Sequence, residues 1–87
     1  MTHRRVLKYP FADDFTLTLS VPVGAVPVLV ADQCGRLTLW LDVPEAGENE
    51  TRMFAALGTG HPHAPHWTHI GSVIMGPLVW HVYEARS

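Results

Sequence analysis

Hydrophobic and polar residues alternate without a fault from Phe15 to Val21. Phe15, Leu17, Leu19 and Val21 share one face, and Thr16, Thr18 and Ser20 share the other. A period of two predicts a strand with one face buried. The pattern returns at 36–43, where Leu37, Leu39, Leu41 and Val43 point one way and Arg36, Thr38, Trp40 and Asp42 the other. Between these segments "VPVLVADQ" is apolar at both parities, which predicts a strand covered on both sides. Pro27 has no N–H to give, so this strand should start at an edge or carry a bulge. Pro22 and Gly24 supply turn chemistry, and "QCGR" reads as a hairpin turn. "TRMFAAL" permits a strand or a helical turn, and its shortness between loops favours a strand. "PEAGENE" is a polar connection. "WTHIGSVIM" and "PLVWHVYEA" form a last hairpin, joined at Met75-Gly76-Pro77.

Six or seven short strands with no convincing helix predict an all-β fold, a small antiparallel β-sandwich or open barrel, in one domain over residues 1–87. The expected core is Phe15, Leu17, Leu19, Val28, Val30, Leu37, Leu39, Leu41, Ile70, Ile74, Trp80 and Val82. If Ile74 pairs with Leu78 in the last hairpin, Gly71 faces His81 and His69 faces Tyr83. The core side then carries Ile70, Ile74, Leu78, Trp80 and Val82. The other side carries His69, Gly71, Val73, His81 and Tyr83, with Gly71 opening a gap beside His81.

Composition narrows the function. The chain has 87 residues, 47% hydrophobic and 16% charged. A core this small is marginal, and the apolar surplus predicts a homo-oligomer, with a dimer the commonest closed form. The formal net charge of -2 argues against a nucleic-acid partner. The cluster His3, Arg4, Arg5 and Lys8 suits a basic strand edge or frayed arm better than a phosphate-binding arm. Cys34 is the single cysteine, which excludes an internal disulfide and fits a reducing compartment. "YPFADDF" offers no apolar signal core, and "VPVGAVPVLVA" is too short and too rich in Pro and Gly to cross a bilayer. A cytoplasmic protein with no membrane partner is expected.

The candidate chemistry lies in "GTGHPHAPHWTHIG", residues 58–71. His61, His63, His66 and His69 have spacings poor for one tetrahedral metal site, and Pro62 and Pro65 turn neighbouring rings apart. No Asp or Glu lies between residues 51 and 83 to complete a ligand set or act as a base. No metal or cofactor is expected. Simple alternation puts Glu84 and His81 on opposite faces, and likewise Ser72 and His69, so no triad forms and no enzyme is expected. The glycines of "GTG" allow an anion to approach backbone N–H groups and the Thr59 hydroxyl. No lysine or helix follows, so a phosphate loop is not indicated, and a plain turn between strands is the favoured account of the glycines. A structural histidine bonded to Tyr83 or to backbone is the corresponding plain reading of His81. The expected ligand site joins Thr59, Gly60 and His61 to the face carrying His69, His81 and Tyr83, completed by Trp40 or by Arg52 of a second subunit.

Several segments resemble a family of small proteins of unknown function found often in phage and prophage genomes. They are "KYPF" at 8–11, "SVPVGA" at 20–25, "LTLWLDV" at 37–43, "GTGHP" at 58–62, "HIGS" at 69–72 and "PLVWHVYE" at 77–84. The chain departs from the family by Ser72 in place of the usual Thr and by the extra His63 and His66. The resemblance implies a small β fold and a phage-type accessory protein working in the bacterial host. The expected function is non-enzymatic binding that counters host defence, by sequestering a small anionic, nucleotide-like ligand or by blocking a host protein. A histidine-based metal-dependent enzyme and a structural phage component are the alternatives.

Overall fold

The computed structural model describes residues 3–85. Seven strands run in chain order: β1 (Arg4–Pro10), β2 (Thr16–Pro22), β3 (Val26–Gln33), β4 (Arg36–Pro44), β5 (Asn49–Gly58), β6 (Thr68–Met75) and β7 (Leu78–Ala85). They form two antiparallel sheets, ordered β1-β4-β3 and β2-β5-β7-β6. The architecture is an open β-sandwich with no helix among the described residues. The segment over residues 51–57 is strand β5, and the basic N-terminal cluster lies along β1 as a strand edge. Arg4 donates from Nε to Asp42 at 3.1 Å, and Arg5 pairs with Glu45. The β3–β4 turn follows the chemistry of "QCGR", with Cys34 and Gly35 both at positive φ (53° and 87°).

Alternation predicts the inner faces of β2 and β4 well. Leu37, Leu39, Leu41 and Val43 are buried, and Phe15, Leu17 and Leu19 pack beside them. Phe11, Val21, Ala25, Phe54, Ala56, Val73 and Val82 complete the core. Two expected core residues face water instead: Val28 is 51% exposed and Ile74 is 75% exposed. Both follow from a break in register. β3 slips between Pro27 and Leu29, leaving Val28 as the extra residue of a bulge. β3 is also an edge strand of a two-sheet sandwich with no layer over its outer face, so it is not covered on both sides, and Val26 and Leu29 lie open there.

The second slip lies between His69 and Gly71 in β6. It makes Ile70 and Gly71 both point inward and reverses the parity of every later residue of the strand. Met75 pairs with Leu78, and Ser72 rather than Gly71 stands opposite His81. Val73 replaces Ile74 in the core. Leu78, also expected on the core side, is exposed at the hairpin end. The gap expected beside His81 is absent, because Gly71 points across the sandwich to β3. A Cβ there would meet Val30 Cγ2 at 2.7 Å, so only glycine lets the two sheets approach this closely.

Arg52 falls at an inward position of β5 and is buried with Glu84 of β7. Its Nε donates to Oε2 at 2.7 Å and its Nη2 to Oε1 at 2.8 Å, a bidentate pair. Its Nη1 donates to the Ala25 carbonyl. The hydrogen bonds to Glu84 raise the Arg52 pKa above its ordinary value, although burial opposes the charge.

Two stability predictions follow from these contacts. Gly71→Ala should destabilise the fold by about 1–3 kcal/mol through overpacking. Combining it with Val30→Ala should cost less than the sum of the two single changes, as a double-mutant cycle in urea would read. Glu84→Gln should cost about 3–5 kcal/mol because it strands a buried guanidinium. Replacing Arg52 and Glu84 together by apolar residues should recover most of that loss, and chemical denaturation of the three variants checks both statements.

Candidate functional site

The reversal of parity in β6 decides the chemistry of the outer face. His69 precedes the bulge and Ser72 follows it, so both point away from the core. β7 supplies His81 and Tyr83 to the same face, directly across the ladder. The pairing of His69 with Tyr83 agrees with the sequence reading. The expectation that Ser72 and His69 lie on opposite faces does not hold, because the extra residue between them breaks the alternation that placed them apart.

Four side chains form a continuous hydrogen-bonded chain. Thr59 Oγ1 lies 2.8 Å from His81 Nε2, His81 Nδ1 lies 2.7 Å from Ser72 Oγ, and Ser72 Oγ lies 3.1 Å from His69 Nε2. Hydroxyl and imidazole alternate, so neutral rings satisfy the chain in either direction. In one sense, Thr59 donates to His81, His81 to Ser72, and Ser72 to His69. In the other sense every donor and acceptor is reversed. His81 therefore bonds to hydroxyls on both sides, not to Tyr83 or to backbone.

The turn at 58–61 brings Thr59 into place. The His61 N–H donates to the Gly58 carbonyl at 3.1 Å, and Gly60 has φ 93°, the left-handed value that the third residue of such a turn requires. Gly60 thus serves the turn. The loop then folds back over β7. His63 stacks on Tyr83 with centroids 4.2 Å apart, while His69 meets the same ring at 5.2 Å and a steep tilt. Among the described residues, β6, β7 and the loop before β6 can place only imidazolium charge on this patch; a carboxylate, Asp14, stands at its β2 border, where it accepts from Thr16 Oγ1 at 2.7 Å. No Asp, Glu, Lys or Arg occurs from Met53 to Tyr83, and the β2 and β5 residues beside the patch are Thr16, Thr18, Met53, Ala55 and Leu57.

Thr59, His69, His81 and Tyr83 thus come together as the sequence reading expected. His61 leans instead toward Gly58 and Trp80 and stays outside the hydrogen-bonded chain. Two expected contributors lie elsewhere. Trp40 sits on the outer face of the other sheet, between Lys8 and Leu29. Arg52 is sequestered with Glu84 in the interior, because its strand position is an inward one. Ser72 and His63 were not foreseen as site residues. Gly71 in a strand interior is a bulge signal that could have placed Ser72. No sequence pattern marks the fold of the loop that carries His63.

Among the described residues, no three His, Cys, Asp or Glu side chains converge as metal ligands. No helix among them is long and apolar enough to cross a membrane. A cavity lined by Gly58, Thr59, His61, Pro77, Leu78, Val79 and Trp80 opens beside the Thr59 end of the chain.

No curated protein and no solved structure matches this sequence. One family does match, over residues 2–87, and the chain belongs to it: a domain of unknown function, DUF7352.

Proposed function

We propose that the chain is a non-enzymatic binding module for a small anion, held on the outer face of the second sheet. The observation that carries this reading is the Thr59–His81–Ser72–His69 chain, to which β6, β7 and the loop before β6 bring no charge but imidazolium among the described residues. Ser72 can accept two hydrogen bonds and donate one. When His69 and His81 are both protonated, each donates to Ser72 Oγ, and the Ser72 O–H must turn outward. The Thr59 O–H is released in the same way once His81 Nε2 carries a proton. The two freed hydroxyls and the remaining N–H of His69, at Nδ1, then present donors to one anion, and His81 contributes its positive charge.

The arrangement suits binding better than acyl transfer. Ser72 has His81 within reach as a base, as a nucleophile would need. The group orienting that base is the neutral Thr59 hydroxyl, however, which does not compensate an imidazolium as a carboxylate does. A bound anion supplies the missing negative charge. The phage-type resemblance supports a wider role in the cytoplasm of a bacterial host, where sequestering an anionic ligand such as a nucleotide would counter defence.

Self-association has its own support on the opposite surface. Val6, Val26 and Leu29 are exposed around Trp40 on the outer face of β1-β4-β3. Joining two copies there, as a homodimer, would leave both imidazole faces open. Light scattering at micromolar concentration should give twice the chain mass, and a monomer would overturn this arrangement.

Sulfate tests the anion reading, since its charge is constant near neutrality. Binding should be accompanied by proton uptake, read by calorimetry in buffers of different ionisation enthalpy. His81→Ala removes one positive charge and the bonds that turn the Ser72 and Thr59 hydroxyls outward, and it should weaken sulfate binding about tenfold or more, the scale of a hydrogen bond to a charged group. Binding without proton uptake, or equal affinity in both proteins, would contradict the reading.

A further inference from the structure

The cavity at the end of the second sheet shares Thr59 with the hydrogen-bonded chain but has a different character. Gly58, Thr59 and His61 make one wall, and Pro77, Leu78, Val79 and Trp80 make the other. They line a half-open cleft of about 370 Å³, within the range of about 300–1,000 Å³ usual for small-molecule sites. Its side chains are apolar or aromatic except for the Thr59 hydroxyl and the His61 ring.

Two features shape the space for a flat group. Trp80 is fixed from behind, where Phe15 stacks on it with centroids 4.1 Å apart and planes at 15°. Phe15 holds that position at φ 61°, a conformation that bulky residues rarely adopt. Its N–H donates to the Ala12 carbonyl at 2.9 Å, and its carbonyl accepts from the Ala56 N–H at 2.9 Å. The indole is therefore in place before anything enters. In addition, Gly58 has no side chain where one would stand 3.6 Å from the His61 ring and 4.0 Å from Trp80 Cζ3. The absent side chain leaves unfilled the space beside the imidazole and the indole edge.

We infer that this cavity seats a flat aromatic or heteroaromatic ring, with an anionic substituent of the same ligand reaching Thr59 and His81. The position of the charge rests on the anion reading above, whereas the ring site rests on the cavity alone. Rings bind such walls by stacking, which tolerates many ring types. The Thr59 hydroxyl joins the two parts, since it lines the cavity and bonds to His81 Nε2.

Three probes separate ring from charge: adenosine, ribose 5-phosphate and adenosine monophosphate. Each is titrated by calorimetry into the wild type and into Gly58→Leu, which fills that space without removing a polar group. His61→Ala, which removes one wall at an exposed position, serves if Gly58→Leu fails to fold. In the wild type the monophosphate should bind about tenfold or more tightly than ribose 5-phosphate, the contribution of a stacked base. Gly58→Leu should abolish that advantage and adenosine binding, and leave ribose 5-phosphate affinity unchanged. His61→Ala should reduce the same advantage. Equal affinities for the monophosphate and ribose 5-phosphate in the wild type would overturn the ring site, as would a Gly58→Leu protein that binds the monophosphate normally. Adenosine binding without ribose 5-phosphate binding would keep the ring site and overturn only the anion reading.

Discussion

One extra residue in β6 governs both the interior and the exterior of this sandwich. Between His69 and Ser72 the strand spends two residues, Ile70 and Gly71, on its inner face where regular pairing would spend one. Inside, Gly71 lets β6 approach β3 until Val30 occupies the space a side chain would need. Outside, His69 and Ser72 reach the same face, although two strand residues separated by three positions normally point in opposite directions. The close contact of the sheets and the row of hydroxyls and imidazoles are thus consequences of a single local irregularity.

The interior ion pair has a matching effect on the outer face. Arg52 and Glu84 occupy inward positions on neighbouring strands and satisfy each other there. Had either faced outward, a fixed charge would stand next to the imidazoles and set their protonation. Instead, among the described residues, β6, β7 and the loop before β6 bring only hydroxyls, rings and aliphatic groups to the patch, so its charge follows the protonation of the imidazoles and whatever binds. A face of this kind discriminates by charge without carrying a permanent one.

Much of the fold is legible because alternation is a direct record of burial. The inner residues of β2 and β4 can be read off the sequence, as can the turns at Cys34-Gly35 and Gly76-Pro77. The reading fails at Val28 and Ile74, and for one reason: each lies in or beyond a bulge, where a single added residue inverts the pattern. The same inversion hides Ser72 from a sequence-based search for a histidine partner. Arg52 looks like an available cation in the sequence, since nothing local reveals that a carboxylate thirty-two residues away meets it in the interior. Trp40 is separated from the histidines by strand order, which a lone sequence does not give. Thr59, His69, His81 and Tyr83 were recoverable because a hairpin and its preceding loop are neighbours in sequence and in space.

The central claim is the shifted register of the last hairpin, and cross-strand nuclear Overhauser contacts in solution test it most directly. The bulge predicts backbone contacts between Ser72 and His81 and between His69 and Tyr83, with the His69 ring close to the Ser72 β-protons. Uninterrupted pairing, with Gly71 opposite His81 and Ile74 opposite Leu78, would contradict it and would separate the Ser72 and His69 side chains onto opposite faces of the sheet.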